Sequence, residues 1–185
     1  GATLVDGAPS ATPLSFIGDG MDALTNSGAQ YGTGFWDMFI GIVPGSVGET
    51  SVIAILLGAI ILLWTGVASW RIMLSTVLGA LFVGGLAQLC GGTDVPCLYH
   101  LVMGGFAFGA VFMATDPVTS AQTDCGKWIY GFFIGAVCVI IRLFNPGYAE
   151  GMMLAILLGN TFAPLIDYYV TDRHIARRNK VVKAA

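Results

Sequence analysis

Residues 51–89 read SVIAILLGAIILLWTGVASWRIMLSTVLGALFVGGLAQL, and the only charged side chain in this stretch is Arg71. Two apolar runs, Val52–Trp70 and Ile72–Leu89, lie on either side of it. Each approaches the ~20 residues that a helix needs to cross a ~30 Å hydrocarbon core. With only the Trp70-Arg71 hinge between them, the two runs are predicted to form a tight antiparallel pair of membrane helices. Three further runs follow, at Tyr99–Thr115, Trp128–Phe144 and Gly151–Val170. The expected fold is therefore all-α and integral to a membrane, with about five transmembrane helices. Trp64, Trp70, Tyr99, Trp128, Tyr168 and Tyr169 sit near run ends, where amphipathic rings favour the headgroup zone.

Composition agrees. Hydrophobic residues make up 56% of the 185 positions and charged residues only 10%, against about 25% charged in ordinary soluble domains. So few charges cannot coat a water-facing shell. The 26 glycines suit closely packed membrane helices. A net charge of −3 gives no general reason to expect nucleic acid as a partner.

Residues 1–50 form a polar to amphipathic leader. Within it Gly34–Val43 is apolar but too short to span, and Pro44-Gly45 ends it. Such a piece is expected to be amphipathic or re-entrant. The opening stretch is small, polar and loop-like, so further chain is expected upstream. Residues 51–171 make the five-helix membrane domain, and 172–185 a basic tail.

Five of the eight Lys and Arg residues lie between Arg173 and Lys183. If this tail is cytoplasmic, five spans put the leader outside. Arg71 and Lys127 then fall on inner loops, while the 90–98 and 145–150 loops fall outside and hold no Lys or Arg. Every loop then follows the positive-inside rule. Arg142 alone lies within a span, near its outer end.

Few patterns point to chemistry. The four cysteines, Cys90, Cys97, Cys125 and Cys138, form no C-x-x-C pair and no zinc-ligand spacing with either histidine. Cys90 and Cys97 flank one loop, where a disulfide and free thiols both remain open. His100 beside Tyr99 reads as an interfacial residue. Asp116 and Asp167 stand at the inner ends of spans, and Pro164 precedes Asp167 by three residues. Carboxylates near a carbonyl freed by proline suit a hard cation, so both are candidates for a Na⁺ pathway; helix capping is the alternative for Asp116. Glu49 and Glu150 would line an outer exit. Arg142 would pair with a phosphate or snorkel to headgroups. Gly79, Gly84 and Gly85, with Gly104, Gly105 and Gly109, read as small-residue contact faces. Neither a Gly-rich phosphate loop nor a nucleophile elbow is present.

The segment Asp6-Gly7-Ala8-Pro9-Ser10-Ala11-Thr12-Pro13-Leu14 is, taken alone, a turn. It resembles the flavinylation motif shared by the B subunits of Na⁺-translocating NADH:quinone reductases and the D subunits of the related Rnf complexes. Asp6, Ala11, Thr12 and Leu14 match that motif; Pro9 and Ser10 stand where it has Ser/Thr and Gly. The likeness continues through Phe35–Thr50, Ala68–Ile72, Phe112–Val118, Asn145–Leu157 and Ala163–Tyr168, and Gly151-Met152-Met153 favours the quinone-reductase branch. The family protein is about twice as long.

The resemblance implies a function. Thr12 is expected to be the acceptor of a covalent FMN phosphoester, on the outer side, and riboflavin to be carried by the upstream half. The expected partners are other subunits of a respiratory complex, ubiquinone, Na⁺ and membrane lipid, with the whole in a bacterial inner membrane. The chain then relays electrons toward ubiquinone coupled to sodium export, and NADH is oxidised on another subunit. The D subunit of an Rnf-type ferredoxin:NAD oxidoreductase, a membrane channel, and a flavin-free scaffold are the alternatives.

Overall fold

The computed structural model of the chain describes residues 35–41, 48, 50–92, 94–145 and 150–184. The flavinylation-like segment with Thr12, the Pro44-Gly45 stop, Glu49 and Pro146 lie outside the described residues. Every described regular element is helical.

Helix α1 (Phe35–Ile40) is six residues long. Its Met38 is buried against Val52, Val95, Val102 and Met103, and the Phe35 ring meets Tyr99 edge-on at 5.7 Å. The short apolar piece thus docks on the bundle and does not span. Helix α2 (Val52–Trp64) starts at Ser51, whose hydroxyl accepts the Ala54 N–H, and it stops at Thr65-Gly66, where Gly66 takes a φ of +72°. Its 13 residues rise only about 20 Å. Helix α3 (Trp70–Leu89) and helix α6 (Asp124–Phe144), 20 and 21 residues long, are each long and apolar enough to cross a membrane. Helix α7 (Met152–Ala184) has the same property over Met152–Ala176 and carries Pro164 inside it.

Between α3 and α6 the chain does not form one continuous span. Helix α4 (Tyr99–Val102) ends, Met103–Gly105 turns, and helix α5 (Phe106–Phe108) passes into a π-helical turn at Gly109–Met113. Gly104 has a φ of +61°, a left-handed conformation that glycine adopts without steric cost. The expected third span is thus a broken helix.

The core lies where α6 packs between α3 and α7. A methyl group on Gly131 would run into Ser75 and the Ile72 carbonyl, one on Gly135 into the Thr76 backbone, and one on Gly79 into the Phe132 backbone. These three glycines let the two helices approach backbone to backbone, the geometry that small residues permit in membrane helix pairs. On the α7 side Gly159 faces Ile134 and Tyr130, and the Tyr130 hydroxyl donates to Asn160 Oδ1 at 2.5 Å.

The predicted α2–α3 pairing is therefore corrected. The close partner of α3 is α6, while Ile55 and Ala59 of α2 pack on Val111 of the broken span. The reason is steric: α3 turns Gly79 toward α6, whereas α2 presents Leu56, Leu57, Ile60 and Ile61 outward. Helix α7 continues through the basic residues of 172–184 to Ala184.

Candidate functional site

The break at Met103–Gly105 leaves backbone groups without intrahelical partners, carbonyls at the end of α4 and N–H groups at the start of α5. Buried groups of this kind need partners from elsewhere. Two charged side chains flanking the α6–α7 connection supply them. Arg142, in the last turn of α6, donates from one terminal nitrogen to the His100 carbonyl at 2.6 Å and from the other to the Met103 carbonyl at 3.1 Å. Glu150, just before α7, accepts the Gly105 N–H at 2.9 Å. A cation thus caps the negative end of one half-helix, and a carboxylate caps the positive start of the next, as the helix dipoles favour.

Arg142 is only 1% exposed, the largest fully buried side chain among the described residues. Its guanidinium carbon sits 5.7 Å from the centre of the Phe106 ring, within cation–π range. Among the described residues it makes no ion pair within 4.0 Å, and its Nε has no hydrogen-bond partner. Both ring nitrogens of His100, whose side chain is fully buried, are likewise without partners among the described residues. Membrane-depth charges are costly and rare, so this cluster of a buried cation, an unsatisfied imidazole and a broken helix is the most unusual polar feature of the fold.

Arg142 therefore differs from its expected place. It does not snorkel to the surface: it is buried, and each terminal nitrogen donates to a carbonyl of the same chain, inside the bundle. Thr12, the expected acceptor, lies outside the described residues.

The two candidate cation-binding carboxylates lie apart from the break and are engaged locally. Asp116 accepts the Thr119 hydroxyl at 2.7 Å and the N–H groups of Thr119 and Val118 at 3.2 and 3.4 Å. The Thr119 hydroxyl, above all, holds its carboxyl below the ordinary aspartate value. Asp167 accepts the Gln122 N–H at 2.7 Å, the Thr123 N–H at 3.0 Å and the Thr123 hydroxyl at 2.6 Å. It ties α7 to the loop that starts α6, where Thr123 in turn caps Gly126 at 3.1 Å. Both carboxylates thus have loop-capping geometry in this structure. Among the described residues no three His, Cys, Asp or Glu side chains gather as a metal site. The four cysteines are unpaired; Cys90 is exposed and Cys138 buried.

Sequence reasoning misses the partners of Arg142 and the capping role of Glu150. Two signals point to them: a Gly104-Gly105 pair inside an apolar run, and an arginine and a glutamate bracketing one short loop.

Comparison with known proteins gives these features a family. Residues 2–176 match the family described as NQR2, RnfD, RnfE. The B subunit of the Na(+)-translocating NADH-quinone reductase of Klebsiella pneumoniae (strain 342) is 48% identical over 182 residues, covering 95% of this chain and 44% of that protein. The corresponding protein of Chromohalobacter salexigens is 49% identical over 181 residues, covering 95% and 43%. That of Yersinia pestis is 46% identical over 182 residues, covering 95% and 44%. The chain spans less than half the length of these curated relatives. With the match running along nearly all of its residues, the chain belongs to the NQR2, RnfD, RnfE family.

Proposed function

We propose that this chain is the C-terminal part of the flavin-carrying membrane subunit of a bacterial Na⁺-translocating NADH:quinone reductase. The observation that carries the reading is near half identity, along 95% of the chain, to proteins bearing that subunit's name. The family also includes RnfD, but the relatives named above all carry the quinone-reductase name, which favours the first branch over its Rnf counterpart.

In this reading the Thr12 hydroxyl forms a phosphoester with FMN, which supplies the electron-carrying chemistry when bound. The protein's own contribution is tethering and position. The helical bundle anchors the attachment loop at the membrane, outside by charge bias, so that the attached group reaches partners on that face. Ubiquinone, riboflavin and the NADH-oxidising subunit belong to the rest of the complex. Sodium export by that complex completes the function.

The assay is in-gel fluorescence of the denatured full-length subunit made with its flavin transferase. The native subunit should fluoresce as a covalent flavoprotein, and Thr12→Ala should abolish the signal. Fluorescence that survives Thr12→Ala would move the attachment elsewhere on the chain.

A further inference from the structure

We infer that Arg142 is a tethered cation that plugs the break in the third span against passive cation flow. The inference rests on the reading of the chain as part of a sodium-translocating complex, and it assigns Arg142 a role in keeping that complex tight.

Exposed main-chain carbonyls of interrupted membrane helices are the groups that replace the hydration shell of Na⁺ in transporters. Here the two carbonyls at the end of α4 are already engaged, each by one terminal nitrogen of the same guanidinium. That guanidinium is fixed from several sides. It is 1% exposed, it lies over Phe106, and it is carried by the last turn of a 21-residue helix packed along α3. It cannot be neutralised by losing its proton, because arginine stays charged in proteins. Glu150 holds the opposite lip of the same break through the Gly105 N–H. The gap is therefore shaped for a cation and occupied by one that cannot leave the chain.

A free sodium ion entering the break would meet both an engaged carbonyl pair and a like charge. The Arg142 charge alone, about 6 Å away in an effective dielectric of about 20, slows such an entry on the order of a hundredfold, and the Glu150 carboxylate on the opposite lip offsets part of that. Transport then requires the guanidinium to move off the carbonyls, which makes Arg142 a positioning residue for the ion path and not a catalytic one.

The test uses the full-length subunit in the purified, intact complex, reconstituted into liposomes without NADH, with ²²Na⁺ uptake as the readout. Arg142→Gln keeps one donor for the carbonyls and loses the charge. It should raise passive uptake by tenfold or more, while covalent flavin content stays at the native level. Arg142→Lys keeps the charge and should stay as tight as the native complex. Native tightness in the glutamine variant overturns the proposal, and so does an equal leak in both variants, which would mean lost packing and not lost charge. Arg142→Met, of similar volume, replaces the glutamine variant if that one does not assemble, with the same leak expected. If neither neutral variant assembles while the lysine variant does, the guanidinium is a folding element and the proposal falls. Flavin content and NADH-driven uptake in the native complex are scored separately, so failure of the functional reading is distinguishable from failure of the plug.

Discussion

Gly135→Ala puts one methyl group into the seam between α3 and α6. An ideal Cβ at that position lies 2.8 Å from the Ala80 nitrogen and 2.9 Å from the Thr76 carbonyl carbon, with the Thr76 oxygen closer still. Comfortable contacts between carbon atoms are about 3.5–4.0 Å, so the helices must part by roughly 1 Å. The obstructing atoms are backbone, which has no rotamer to change. A radial gap of 0.5–1 Å forfeits about a quarter to a half of each dispersion contact, and α3–α6 is the most extensive helix pair among the described residues. The cost should reach or exceed the ~1–3 kcal/mol typical of an overpacked core. Gly85→Ala is the control, because nothing lies within 4 Å of a Cβ there; removing a mid-helix glycine should stabilise by up to ~1 kcal/mol. Thermal unfolding of the detergent-solubilised full-length subunit, followed by size-exclusion chromatography, compares the two. The slope is about 2–4 °C per kcal/mol for 150–250 residues and smaller for a longer chain, so in the full-length subunit Gly135→Ala should melt measurably below Gly85→Ala. Equal midpoints would refute the backbone-contact origin of this seam.

Two further outcomes follow from the same packing. Asp167→Ala removes the acceptor for three donors of the α6 entry loop and should destabilise by about 1–2 kcal/mol, with the partly exposed position keeping it at the low end for a charged acceptor. Unchanged melting together with weakened Na⁺ activation of turnover would make Asp167 a sodium ligand and not a cap. Tyr130→Phe and Asn160→Ala should each cost about 1 kcal/mol, and their double-mutant cycle should show positive coupling, because each loses the same bond between α6 and α7; strict additivity would deny that bond.

Hydropathy makes much of this fold legible without coordinates. The cores of α3, α6 and α7 fall inside runs read directly from the apolar residues, because length and charge depletion are sufficient signals for a helix in lipid. The break in the third span is hidden by the same property. Tyr99–Thr115 is apolar apart from His100, the Tyr99 hydroxyl and Thr115, and hydropathy counts residues without regard to where Gly104 turns left-handed. Helix pairing is illegible for a related reason: short connections imply neighbours, yet the steric match of Gly131 and Gly135 to α3 decides the partner. Arg142 escapes a sequence reading because a charge near a span end ordinarily snorkels. Its burial depends on carbonyls some forty residues away, freed by a break the hydropathy pattern does not display. The family signal of residues 2–176, by contrast, is readable in short motifs.

Covalent flavin on Thr12 is tested most directly by the intact mass of the full-length subunit, purified from cells with and without the flavin transferase. The expected result is one added FMN per chain, less one water, only when the transferase is present, and a modified peptide that contains Thr12. An unmodified chain recovered from a fully active complex would contradict it.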